Sequence, residues 1–148
     1  MVAILQRSTG ANVKVDKKII GEIEIGLVIL LGIKRGDKKQ DVDKLVKKIV
    51  SLRIFNDEKD KMNLSIKEIN GSALVISQFT LCADTKKGRR PSFINAELPD
   101  ISYKLYEYFK SSLINNGVPV QAGKFGSMMD VELINNGPAT FIIDTRGG

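Results

Sequence analysis

Histidine is absent from all 148 residues, and Cys82 is the only cysteine. Each absence removes a class of chemistry. Without imidazole, the usual activator of an attacking Ser, Thr or Cys is missing from the whole molecule. A lone cysteine excludes an internal disulfide and leaves no Cys/His cluster with zinc spacing, so no metal or other cofactor is expected. Long apolar runs are scarce as well: the longest, around Gly26 to Ile33, falls short of the roughly 20 residues of a membrane span. The opening MVAILQ lacks the basic flank and long apolar region of a signal peptide. The expectation is a soluble, cytoplasmic chain folded as one domain over residues 1–148, large enough to bury roughly 70% of its unfolded surface in a single core.

What the chain does have is positive charge, +6 in formal terms. That balance suits a polyanionic partner such as a phosphate backbone. Lysines spread over helices and turns, as at Lys47 and Lys48, equally suit a solvated face.

Hydrophobic periodicity predicts strands at Val2 to Gln6, Asn12 to Val15, Ile19 to Ile25 and Leu27 to Ile33, punctuated by Gly10, Asp16 to Lys18 and Gly26. Asp37 with Gln40 forms a candidate capping box, and Val42, Leu45, Val46, Ile49 and Val50 repeat at helical spacing through about Leu52. A short strand at Arg53 to Phe55, a polar turn at Asn56 to Lys61 and a buried strand at Ala73 to Thr80 follow. A second helix is expected from Asp100 as N-cap to about Asn115, with Ile101, Leu105, Tyr108, Phe109 and Ser112 or Leu113 on one stripe and Gly117 just past its end. Strands at Val118 to Gln121, Met128 to Ile134 and Thr140 to Asp144 close the chain. The fold class is therefore α/β, with mixed, largely antiparallel sheets and two main helices. Imperfect alternation in the strands fits sheets buried on both faces, or one face covered by a second copy of the chain.

The densest chemistry lies in SQFTLCAD, Ser77 to Asp84, where a core strand emerges at the surface. On a strand, residues 78 and 80 share one face while 77 and 79 share the other, so a bend near Phe79 is needed before the four can face one ligand. Backbone N–H groups exposed by such a bend could stabilise an oxyanion, though simple packing of Ser and Thr at a strand end accounts for the same residues. NNGPAT, Asn135 to Thr140, reads as a hairpin turn between two apolar runs, in which Gly137 before Pro138 allows close backbone approach. Lys86, Lys87, Arg89 and Arg90 of KKGRR could clamp phosphates or form a solvated turn. Cys82 has no cationic neighbour before Lys86 and reads as a small buried residue.

Taken together, these segments resemble the D-aminoacyl-tRNA deacylase family, enzymes that hydrolyse D-amino acids from tRNA. The likeness runs nearly end to end: AILQR with Arg7, the Gly21 to Gly32 region, RIFND and KMNLS, SQFTLCAD, GRRPSF and NNGPAT. It implies a homodimer with the active site near the subunit interface, where Gly137-Pro138, cis in the family, projects into the partner's pocket. It implies that backbone carbonyls there accept a D-aminoacyl ester and collide with an L side chain, while glycine escapes exclusion. Ser77, Gln78, Phe79 and Thr80 would hold the 3′-terminal adenosine and the ester, Phe125 and Met129 would line the pocket, and Arg7 would brace the Gly-Pro turn. Lys86, Lys87, Arg89 and Arg90 would meet acceptor-stem phosphates. The missing histidine is explained by substrate assistance, in which the ribose 2′-hydroxyl helps to activate water and Thr80 positions rather than attacks. Two positions depart from the family pattern: Asn136 stands where Asp is common and Ala139 where Val is common. The first replaces a charged acceptor with a neutral amide at the anchor of the turn. Two rivals stand beside this reading: an esterase with Thr80 as covalent nucleophile, and a non-catalytic RNA-binding module that uses only the basic surface.

Overall fold

A computed structural model describes residues 1–147; the final residue of the polar tail lies outside the described residues. Among them the chain runs β1 (Val2–Val15), β2 (Lys18–Ile23), β3 (Gly26–Gly32), α1 (Lys39–Ser51), β4 (Phe55–Asn56), β5 (Met62–Leu64), β6 (Ser72–Ser77), α2 (Pro99–Asn115), β7 (Val120–Ala122) and β8 (Asp130–Asp144). The α/β class with two main helices is as expected. Several boundaries are not.

The first two expected strands are halves of one, β1, because Gly10 does not end it. The Ser8 hydroxyl donates to the Gly10 carbonyl at 2.8 Å and accepts from the Gly10 N–H at 3.1 Å, so the chain kinks while staying in the sheet. Asp16 and Lys17, with φ of 49° and 65°, then turn the chain into β2 in two residues, the geometry that matches the twist of a hairpin. β1 pairs antiparallel with β3 through its first half, with β2 through its second and with β8 along nearly its whole length. β3, β6 and β7 run parallel, side by side.

Alternation along these strands separates two cores. Leu27, Ile29, Leu31, Ala73 and Val75 face α1 and α2, meeting Val42, Leu45, Val46 and Ile49 of the first helix and Leu105, Tyr106, Phe109 and Leu113 of the second. Their neighbours Val28, Leu74 and Ile76 face the other way and join Ala11, Val13 and Ile23, with Met129, Val131 and Leu133 packed at the margin. Both faces of the parallel strands are thus buried within one chain, at about 1.5–3 kcal/mol per large side chain.

Both helix starts differ from expectation. Asp37 is not a cap: its carboxylate is buried and accepts from the amino group of Met1 at 2.9 Å, the Lys34 N–H at 2.6 Å and Arg146 at 2.7 Å. Lys38 takes the N-cap position instead, and the Asp41 side chain accepts its N–H at 2.8 Å. At α2 the cap is Leu98, with Pro99 in the first turn, and the buried stripe is rotated to Ser102, Leu105, Tyr106, Phe109 and Leu113, leaving Ile101 exposed. Tyr106 wins the inward place over Tyr108 because its hydroxyl donates to the buried Val75 carbonyl at 3.0 Å. The end of α2 is as read from sequence: Gly117, at φ 87°, donates to Ile114, and Val118 donates to Leu113.

The Asp41 bond carries a pH prediction. The Lys38 N–H holds the Asp41 carboxyl below its ordinary value. A depressed carboxyl adds stability above its unfolded pKa, about 4, and loses it as pH falls through the folded value. Asp41→Asn is therefore expected to unfold about 0.5–1 kcal/mol more easily than wild type at pH 7, with the gap closing below pH 4. Urea titrations from pH 7 to pH 2 measure it.

Candidate functional site

Ser77 is the last residue of β6, and the strand expected to continue through Thr80 stops there. The Gln78 N–H still bonds the Leu31 carbonyl at 2.8 Å, after which Phe79–Cys82 coil into a single 3-10 turn closed by Leu81 N–H to Gln78 and Ala83 N–H to Thr80, both 3.1 Å. Gly32 makes room for that turn: a Cβ there would lie 2.9 Å from the Leu81 Cβ. The turn undoes strand alternation and brings the Gln78 amide onto the Thr80 hydroxyl, to which it donates. Phe79 and Thr80 open the turn, and their N–H groups have no acceptor among the described residues. Among the described residues the only side chain that hydrogen-bonds the Thr80 hydroxyl is the neutral Gln78 amide. Cys82 is buried, with its Sγ 3.5 Å from the Ile33 carbonyl, and burial pushes its thiol pKa up, away from reactivity.

The second wall comes from the segment after β7. Because β7 runs parallel to β6, their C-terminal ends open on the same edge of the sheet, where ligands of such sheets collect. Gly123 lets Met129 settle against the end of β6 near Ile76, a space that any Cβ would fill. Phe125 packs on Tyr106 and on Tyr103, with ring centres 5.6 Å and 5.4 Å away. In front of it opens a cavity of about 530 Å³ lined by Pro99, Asp100, Tyr103, Lys104, Phe125 and Gly126.

NNGPAT is not a hairpin turn. β8 runs past it without reversing: Ser8 pairs with Asn135 and Gln6 with Thr140, so the four residues 136–139 bulge outward opposite Arg7 alone. Tertiary pairing overrides the local turn signal because β1 offers partners on both sides of the bulge. Arg7, itself buried, donates to the Asn136 carbonyl, the Ile54 carbonyl and the Asn56 side chain, each at 3.0 Å. Asn135 ties the far side: its Oδ1 accepts from Ala139 N–H at 2.9 Å and its Nδ2 donates to Thr140 at 2.8 Å. At the crest, Gly137 has φ 127°, the Gly137-Pro138 bond is cis, and both residues are exposed.

A family model for D-Tyr-tRNA(Tyr) deacylase matches residues 4–144. The D-aminoacyl-tRNA deacylase of Persephonella marina is 53% identical, with 99% of each chain covered, and that of Thermosipho africanus is 48% identical over 99% and 98%. Among solved structures, the c-Myc DNA Unwinding Element Binding Protein superposes with a TM-score of 0.92 at 35% identity, covering 97% of this chain and 98% of that one. A probable eukaryotic D-amino acid tRNA deacylase shares the fold, with a TM-score of 0.80 at 17% identity over 96% and 97%. The chain belongs to the D-aminoacyl-tRNA deacylase family.

In this deacylase the two motifs lie at opposite ends of the sheet. Ser77 is level with Leu31 and Ala3, whereas Arg7 and the bulge are level with Leu27 and Ala73. Four residues along the strands and three strands across put Ser77 and Gly137 on the order of 20 Å apart. Ser77, Gln78, Phe79 and Thr80 gather at one turn; Met129 lies by Gly123 and Ile76 on one face of β6, Phe125 lies on the other against Tyr103 and Tyr106, and Arg7 meets the crest at Asn136 and Gly137. Lys86, Lys87, Arg89 and Arg90 sit on an exposed loop and form no ion pair among the described residues. Asn136, whose neutral side chain put the anchoring of the turn in question, contributes its carbonyl to the anchor. Sequence reasoning missed Asn135, Asn56 and Tyr103. An Asn four residues before Ala139 was a readable sign of side-chain-to-backbone bonding, while the others meet the site only through tertiary contacts. No helix among the described residues is long and apolar enough to cross a membrane.

Proposed function

We propose that this deacylase clears D-amino acids, and glycine, from tRNA by assembling each site from two copies of the chain. The observation that carries the reading is the separation of the motifs on one chain; in the proposed pair the exposed Gly137-Pro138 crest of one copy meets the Ser77 to Thr80 platform of the other. β8 favours such an isologous pairing, since among the described residues only one of its edges is paired, with β1, and Met128, Ile134 and Ile142 on it or beside it are 92%, 64% and 74% exposed.

At the platform, Ser77, Gln78, Phe79 and Thr80 hold the terminal adenosine and its ester, and Phe125 and Met129 form the adjoining wall. Water attacks the ester carbonyl carbon; the N–H groups of Phe79 and Thr80 face the oxyanion; the ribose 3′-oxygen leaves and takes up the proton, giving free amino acid and tRNA. The ribose 2′-hydroxyl assists the water, a role consistent with a chain that holds no histidine. Thr80, bonded only to neutral groups, positions the ester. The crest carbonyls collide with an L side chain, and a clash of about 4 kcal/mol corresponds to roughly a thousandfold preference for the D ester.

Single-turnover hydrolysis of D- and L-tyrosyl-tRNA tests this. Loss of the L ester at a comparable rate sinks the chiral reading. Thr80→Ala should keep measurable turnover; complete loss in that variant, together with an acyl-enzyme trapped on the wild-type protein, would establish Thr80 as the nucleophile. Salt-sensitive tRNA binding with both esters intact would leave a binding module, as the name of the DNA-unwinding-element neighbour suggests for that protein.

A further inference from the structure

Phe93 stands outside the residues so far assigned to the site, yet it is in contact with one of them. Its ring lies 4.9 Å from that of Phe79, inclined at 64°. Phe79 is 60% exposed and Phe93 37%, so two adjoining rings present apolar faces to solvent beside the platform. The arrangement is built into the backbone. Asp84 and Ser92 exchange two N–H···O bonds of 2.8 Å and 2.9 Å, closing the base of the loop that carries KKGRR and setting Phe93 next to the 3-10 turn. Inside that loop Lys86 N–H bonds the Asp84 carboxylate at 2.9 Å and Gly88 adopts φ 71°, while the four cations remain exposed without ion-pair partners among the described residues.

Exposed aromatic faces beside unneutralised arginines are the combination that binds single-stranded nucleic acid, the rings taking bases and the cations taking the backbone. We infer that Phe93, edge-on to Phe79, stacks the unpaired nucleotide preceding the terminal adenosine, and that Arg89 and Arg90 hold its phosphate. This rests on the deacylase reading above, which places the terminal adenosine on the Ser77 to Thr80 platform. Phe93 extends the platform by one ring, so the next nucleotide along the strand is the one within reach. The inference makes Phe93 a determinant of tRNA binding with no part in ester chemistry.

The test compares kcat/KM for D-tyrosyl-tRNA with that for the 3′-D-tyrosyl ester of adenosine, which lacks the preceding nucleotide. Phe93→Ala is expected to lower the ratio of the two about tenfold, a typical effect of losing one base stack, and Phe93→Trp to preserve it. Arg89→Ala with Arg90→Ala should reduce the slope of log KM against log salt by roughly one, for the tRNA ester only. An unchanged ratio in Phe93→Ala, equal losses on both esters, or a Trp variant as poor as the Ala variant overturns the inference while leaving the deacylase reading intact. A wild-type protein that cleaves neither ester overturns both.

Discussion

Gly137→Ala is expected to lose at least about a hundredfold in kcat/KM toward D-tyrosyl-tRNA while remaining folded, since ångström-scale misplacement of a positioning group costs about that much. A Cβ on Gly137 would lie 2.6 Å from the Arg7 guanidinium, and φ of 127° is a region that L side chains avoid. The crest should shift, because φ of 127° strains any L side chain there and Arg7 is tied off the bulge by its bonds to Ile54 and Asn56. The bulge is at the surface, so the strain should cost about 1–3 kcal/mol of stability, not the fold. Combining this variant with a platform variant, Gln78→Ala with Thr80→Ala, reads out where the crest acts. If each site draws its two halves from different chains, a refolded mixture of the two impaired proteins regains about a quarter of the wild-type sites, those of the mixed dimers with both intact halves together. No recovery in a mixture shown to exchange subunits would mean that one chain completes its own site.

The second large effect is expected at Arg7. Arg7→Met keeps much of the volume but leaves the Asn136 carbonyl, the Ile54 carbonyl and the Asn56 side chain without their donor. At about 1 kcal/mol or more for each acceptor, the variant should lose about 3 kcal/mol, or roughly 10 °C in Tm for a chain of this size. Deacylation should fall with it even at temperatures where the variant is folded, because the crest loses its brace. Arg7→Lys should rescue little, since a single ammonium cannot reproduce the forked geometry that reaches three oxygens. Thermal unfolding followed by assay at 20 °C separates the two effects; a variant as stable and as active as wild type would remove Arg7 from the account.

How far the site could be read from sequence depended on how local its determinants are. The α1 stripe, Val42 to Ile49, and the end of α2 at Gly117 came out correctly because both follow from spacing and from a single glycine. Asp37 read as a helix cap, but the amino group of Met1 and the side chain of Arg146, at the far ends of the chain, claim its carboxylate. The β6 strand read as reaching Thr80 because Phe79 and Thr80 are good strand residues; the 3-10 turn wins by fitting Leu81 over Gly32.

Composition and motif alone determined that the chain offers no histidine to any ester chemistry, that SQFTLCAD and NNGPAT are its candidate site segments, and to which family such a chain is similar. These are properties of residue identity, and folding does not alter them. Only the tertiary structure decided that NNGPAT is a bulge held by Arg7 in a continuous strand, that Gln78 and Thr80 face each other across a turn, and that the two motifs lie at opposite ends of one sheet. Strand pairing and register join residues more than a hundred positions apart, and that information is carried by the surfaces that pack together, not by any short stretch of the chain.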